Sequence, residues 1–246
     1  MKKSSNKKNL IYGKNVVENV IINFHNQIKE IYILKGYAFS QEAYSIIKKY
    51  NIKWTSCEKE TFSKFIQEKV THQGIIAEVK QFQYSKLDDI IDYSNTQQTI
   101  LILDRIQDPN NFGAIIRTSS LFDVTGIIIL DHNQVDVTPT VVKASAGAIY
   151  CTPIVKVSNI SNVINVLKEK GYWIYCSLLT EESISINELK FDKKTAIVLG
   201  SEGEGVLKKN ASHSDFCFKI PTSNKINSLN VSVAAGIILY ERSKQN

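Results

Sequence analysis

Arginine is nearly absent from this 246-residue chain: 27 of its 30 basic residues are lysine, leaving Arg105, Arg117 and Arg242. A guanidinium is a rigid planar fork of donors and an ammonium a flexible point charge. An arginine kept against such a bias marks a position that needs the fork. Proline is scarce too, and all four prolines (Pro109, Pro139, Pro153, Pro221) lie beyond residue 100, with eight of the eleven glycines. Apolar runs are short. None approaches the ~20 residues a bilayer-spanning helix requires, so no membrane segment is expected. The basic opening "MKKSSNKKNLIYG" lacks the apolar stretch of a secretory signal. Cys57, Cys151, Cys176 and Cys217 form no C-x-x-C pair, and His25, His72, His132 and His213 are equally dispersed. No metal site is expected, and the cysteines read as buried thiols in a reducing, cytoplasmic setting.

The charge that is present is unevenly placed. Residues 1–80 hold 14 lysines against 7 glutamates, a net of +7, while residues 81–246 hold 16 basic and 17 acidic residues, a net of −1. A basic module joined to a near-neutral one points to a polyanion partner, with nucleic acid foremost.

Hydrophobic periodicity divides the chain similarly. In residues 1–80, the helical stripe Val16–Val20–Phe24, the alternating "IKEIYIL" (28–34), a helix after Ser40, a short strand "IKWT", a helix in "EKETFSKFIQE" and a strand "GIIAEVK" predict a small α/β domain. The polar stretch 81–98 reads as a linker containing a short helix. From residue 99 onward, continuous apolar strands alternate with helices: "TILILD" (99–104), "GIIIL" (126–130), "IVKV" (154–157), "YWIYCSL" (172–178), "TAIVLG" (195–200) and "DFCFKI" (215–220), closing with a helix over 228–244. That pattern predicts a parallel sheet covered on both faces. Ligands of such sheets bind beyond the carboxyl ends of the strands.

Three of those strand ends are unusual. After 104 comes "RIQDPNNFGAIIR", in which Asn111 and Arg117 reach one groove provided Asn111 sits at the helix cap. After 200 comes "SEGEGV", a G-x-x-G-x-G turn that is neither a dinucleotide fingerprint nor a Walker loop. Glu202 inside it would repel a phosphate. After 220 comes "PTSNKINSLNVSVAAG", where Ser228 or Asn227 is the expected N-cap of the last helix. A dehydrogenase is disfavoured by the missing fingerprint.

Together "DPNNFGAIIRT", "IVLGSEGEGV" and "IPTSNKINSLNVSVAAG" resemble, in order and spacing, the three signature motifs of the SpoU/TrmH family of RNA ribose 2′-O-methyltransferases. "VVKASAGAIYCTPI", "IYGKNVVENVI" and "THQGIIAEV" extend the resemblance over nearly the whole chain. It implies an L30e-like RNA-binding domain over 1–80 and a trefoil-knotted methyltransferase domain over 99–246. It also implies S-adenosylmethionine as cofactor and a homodimer built through the second domain. Arg117 matches the family's catalytic arginine, with Asn111, Glu202, Ser228 and Asn230 as the polar residues that orient it and the ribose. Gly200, Ile220 and Leu229, with Ser177 and Leu178, match its cofactor loops. The family often carries His or Arg where this chain has Asn110. The two-domain arrangement is most similar to enzymes that methylate a guanosine in the P-loop of large-subunit rRNA. A tRNA guanosine, or a non-catalytic role in ribosome assembly, is the alternative.

Overall fold

A computed structural model describes residues 9–65, 71–91, 93, 97–223 and 228–245. The chain forms two compact units. One comprises residues 1–82 with 137–150, the other 83–136 with 151–246.

The first unit is built on a four-stranded sheet. Its strands are β1 (Leu10–Tyr12), β2 (Ile28–Leu34), β3 (Trp54–Cys57) and β4 (Ile75–Val79), in the order β1-β4-β2-β3. Strand β4 runs antiparallel to β1 and β2, whereas β2 and β3 are parallel. Helices α1 (Lys14–Phe24), α2 (Gln41–Lys49) and α3 (Lys59–Ser63) connect them. Val17, Val20 and Ile21 of α1 are completely buried; of the expected stripe, Val16 and Val20 are buried and Phe24 only partly so. Ser40 caps α2, its Oγ accepting from Ala43 N. The expected helix over 58–68 is described only as Lys59–Ser63; residues 66–70 lie outside the described residues.

A segment from much later in the chain completes this unit. Helix α5 (Pro139–Ala144) and the turn after it carry Val141, Val142 and Ile149, all buried. Asn19 of α1 donates to the Ala146 carbonyl, and Gly147 adopts φ +87° within reach of Val20.

The second unit carries a seven-stranded, wholly parallel sheet in the order β7-β6-β5-β10-β8-β11-β9. The strands are β5 (Gln98–Asp104), β6 (Gly126–Leu130), β7 (Ile154–Val157), β8 (Trp173–Ser177), β9 (Ile184–Ser185), β10 (Lys194–Gly200) and β11 (Phe216–Lys219). Every residue of β5 and β6 is buried, which is why those segments read as unbroken apolar runs. Helices α4 (Pro109–Leu121), α6 (Ile160–Glu169), α7 (Lys208–Ala211) and α8 (Val231–Ser243) complete the unit. From Gln83 onward the stretch read as linker belongs here: Ser85 bridges Val155, and Ile90 and Ile91 join the core under β6. Gly126 is obligatory there, because a Cβ would lie 2.5 Å from Ile90.

Strands β5, β10 and β8 are adjacent, so the loops after 104, 200 and 177 emerge side by side. That adjacency builds the site.

Candidate active site

Helix α4 begins one strand end. Asp108 is its N-cap, accepting from Asn110 N at 2.8 Å, with Pro109 in the first turn. Asn111 is therefore not the cap but a residue inside the helix, and it is buried. Arg117 lies six residues on, about 9 Å along the axis and some 120° around it. The condition under which the two would reach one groove, Asn111 at the cap, is thus not met. Arg117 is exposed, and its guanidinium has no partner among the described residues.

The second strand end is the loop after β10. Gly200 can be nothing else, since a Cβ would sit 1.9 Å from the Gly205 carbonyl carbon. The loop folds back over it through Gly205 N→Ser201 O (2.9 Å). Two residues of the first strand end hold this loop down. Asp104, completely buried, accepts from Leu207 N and Asn210 Nδ2, both at 2.9 Å, and from Arg105 Nε at 3.1 Å. Arg105, at φ +64°, also donates to the Glu204 carboxylate and, at 3.3 Å, to the Gly205 carbonyl. Burial works to lower its pKa, but hydrogen bonds to Glu204 and Asp104 outweigh burial and raise it. The fork is satisfied on three sides, a geometry open to Arg and closed to Lys.

The third strand end leads into α8. Its N-cap is Asn230, not the expected Ser228; Asn227 lies outside the described residues. Asn230 Oδ1 accepts from Ser232 N (2.9 Å), Val233 N (3.4 Å) and Ser232 Oγ (2.6 Å). Those donors fix the amide's orientation. Its Nδ2 must face the other way, where it donates at 3.0 Å to both Asn111 Oδ1 and Glu202 Oε1. Asn111 Nδ2 in turn donates to Glu202 Oε1. One helix start thus orients three side chains from three strand ends. Glu202 Oε1 is doubly engaged and Oε2 has no partner among the described residues.

Two cavities flank this cluster. The larger, about 510 Å³, is lined by Ser177, Leu178, Gly200, Ile220 and Leu229, together with Leu179, Leu199, Thr222 and Ser228. The smaller, about 320 Å³, is lined by Arg105, Gln107, Asp108 and Asn111. Ser201, Glu202, Gly203, Glu204 and Val231 border both, so the loop after β10 is their common wall. Ser228 lines the larger cavity without joining the Asn111–Glu202–Asn230 cluster, and Arg117 lines neither. Asp104, Asn210 and Ser232 were missed from the sequence. Asp104 alone had a signal there, as the one charge in "TILILD".

Burial governs the Cys176 thiol. Desolvation first, then Cys217 on the adjoining strand, pushes Cys176 up to about 12, so it is inert. Among the described residues no cluster of His, Cys, Asp or Glu has metal-binding geometry, and no helix is long and apolar enough to cross a membrane.

Comparison with known proteins bears on both units. Residues 98–240 match the model of the SpoU rRNA Methylase family. Residues 10–85 match the model described as RNA 2′-O ribose methyltransferase substrate binding. A TrmH family tRNA/rRNA methyltransferase of Staphylococcus haemolyticus is 34% identical over 94% of each chain. A tRNA/rRNA methyltransferase of Synechocystis is 38% identical over 73% of this chain, which spans only 47% of that longer protein. Among solved structures, the SpoU methyltransferase AviRb of Streptomyces viridochromogenes, crystallised with AdoMet, superposes with TM-score 0.77. It is 20% identical, and the superposition covers 96% of this chain and 89% of that one. At that identity the likeness is one of fold.

Proposed function

The chain belongs to the SpoU rRNA methylase family, and from that premise we propose that it transfers a methyl group from S-adenosylmethionine to a ribose 2′-hydroxyl of RNA. The observation that carries this reading is Glu202, locked by Asn111 and Asn230 in the wall between two cavities.

The larger cavity fits the cofactor. Its volume is in the range of small-molecule sites, and its leucines and Ile220 offer an apolar bed for a purine. Gly200 keeps the floor free of a side chain, and Glu202 lines the wall on which a sulfonium would lie. S-adenosylmethionine supplies an electrophilic methyl; the chain must align the hydroxyl and remove its proton. We assign the target nucleoside to the smaller cavity. With cofactor and RNA bound, Glu202 Oε2 would accept the hydrogen bond of the 2′-hydroxyl and take its proton as the methyl passes to that oxygen. Asn111 and Asn230 hold the carboxylate still, and Ser228 lines the cofactor cavity. Arg117, whose guanidinium has no partner among the described residues, takes the phosphate adjoining the target ribose bidentately. That role uses a permanently charged guanidinium and asks no proton of it.

The substrate we favour is a guanosine in the P-loop of large-subunit rRNA, with the basic first 80 residues supplying RNA attraction and the second unit the chemistry. The enzyme works as a cytoplasmic homodimer through its second unit. Leu121 of α4 and Val233 and Tyr240 of α8 are exposed apolar side chains on two helices that pack together, as an unmade interface would be. Ribose-methylation mapping of rRNA from cells lacking the protein tests the substrate. Loss of one P-loop guanosine methyl is expected; an unchanged rRNA map with a missing tRNA methyl would move the assignment to tRNA.

A further inference from the structure

The large apolar side chains exposed in the described part of the first unit are three: Tyr44, Tyr50 and Trp54. All three are aromatic and lie within eleven residues, "YSIIKKYNIKW", at 42%, 46% and 43% exposure. Isolated exposed apolar residues need no explanation, but such a concentration does. The same eleven residues contain Lys48, Lys49 and Lys53 and no acid.

The local structure shows how they are held. Tyr44 projects from the solvent side of α2, and Tyr50 is that helix's C-cap, about 9 Å further along its axis. Trp54 opens β3, the edge strand of the sheet. Tyr50 is backed by the His25 ring, stacked at 3.7 Å and 19°, and Trp54 by Phe39, edge-on at 5.8 Å. Lys48 Nζ lies 4.7 Å from the Tyr44 ring centre and Lys49 Nζ 5.1 Å from that of Tyr50. Lys53 is committed to Glu30 at 3.1 Å. So a flexible lysine head lies over each half-exposed tyrosine ring, and a planar base can displace it while it moves to the base's phosphate.

We propose that the surface of α2 and β3 formed by Tyr44, Tyr50 and Trp54 is a stacking platform for unpaired bases of the RNA substrate, with Lys48 and Lys49 pairing the backbone phosphates. The proposal rests on the RNA-methyltransferase reading and specifies where the first unit grips its substrate. Aromatic faces among cations, with no carboxylate in the stretch, match single-stranded nucleic acid. A duplex keeps its bases paired and offers such rings nothing.

The test uses the full-length protein and two fluorescein-labelled probes, a 12-nucleotide oligouridylate and a 12-base-pair RNA duplex. The Y44A/Y50A/W54A protein should bind oligouridylate at least tenfold more weakly and the duplex within twofold of the parent. Tyr44→Phe and Tyr50→Phe, which keep the ring, should retain binding. The K48Q/K49Q protein should lower the slope of log affinity against log salt by about 1.4, since each phosphate contact with a single strand contributes about 0.7. Oligouridylate affinity within twofold of the parent in the triple variant overturns the platform, and so does an equal loss for the duplex. A parent protein that binds neither probe and methylates no RNA would instead overturn the underlying reading.

Discussion

The two units bury their sheets differently, and each leaves at its surface what its task needs. The parallel sheet of the second unit is buried throughout its central strands, and its polar chemistry is gathered at the carboxyl ends, where Arg105 joins Asp104 to Glu204 and Asn230 and Asn111 both donate to Glu202. The mixed sheet of the first unit gathers nothing comparable. Its distinguishing groups are surface lysines and three exposed aromatic rings on α2 and β3. Fixed dipoles suit a step that must not reorganise. Solvated cations and bare rings suit a grip that must form and release.

The largest effect that would test this division comes from cutting it along the sequence. Because α5 and its turn belong to the first unit, deleting residues 1–82 leaves Val141, Val142 and Ile149 without the helix and strand they pack on. The truncated chain should be largely insoluble on expression. The same deletion carrying V141S, V142S and I149S should recover soluble protein that still binds S-adenosylmethionine, measured by calorimetry. Soluble, monodisperse protein from the simple truncation would show that 137–150 does not need the first unit.

The next effect lies within the second unit. Arg117→Lys keeps the charge and loses the fork, so RNA affinity should stay within about threefold while single-turnover methyl transfer falls by about 10²–10³, the range for losing one oriented donor. Turnover near that of the parent would remove Arg117 from the chemistry and leave it an ordinary surface cation.

Legibility from sequence follows the same division. The second unit was readable because fully buried parallel strands leave an unmistakable signature, and the strands expected at 99–104, 126–130, 154–157, 172–178, 195–200 and 215–220 each have a counterpart. The first unit was harder. Strand β1 is three residues long, β3 lies two residues later than "IKWT" indicated, and the antiparallel course of β4 depends on pairings that no local period encodes. The return of 137–150 to the first unit is a tertiary fact without local trace. At the site, residue types were legible and their directions were not. Whether Asn111 sits at the cap stays open in the sequence because "DPNN" offers several candidates, and Asp108 wins by standing directly before the proline. Asn230 displaces Ser228 as cap because its amide also satisfies Asn111 and Glu202. Arginine scarcity singled out Arg105 as well as Arg117, but only coordinates show what Arg105 grips.

That grip supplies the smallest and most discriminating prediction. Arg105 joins the buried Asp104 to Glu204, two residues from Glu202, and to the Gly205 carbonyl. Arg105→Gln removes that latch but leaves Asp104 its bonds from Leu207 and Asn210, and leaves Gly200 closed under Gly205. The fold should therefore survive, with the loop after β10 free to shift Glu202 against Asn111. Displacing a positioned group slightly costs rate more than affinity, so kcat should fall about tenfold while S-adenosylmethionine binding weakens only about threefold. Glu204→Gln opens the same latch from its exposed side and should give a smaller loss of kcat at unchanged melting temperature. If Glu204 acts only through Arg105, the double variant will be no slower than Arg105→Gln alone, because two substitutions on one contact are not additive. Additive losses would mean that Glu204 touches substrate or cofactor in its own right, and the smaller cavity would then have two carboxylates at work rather than one.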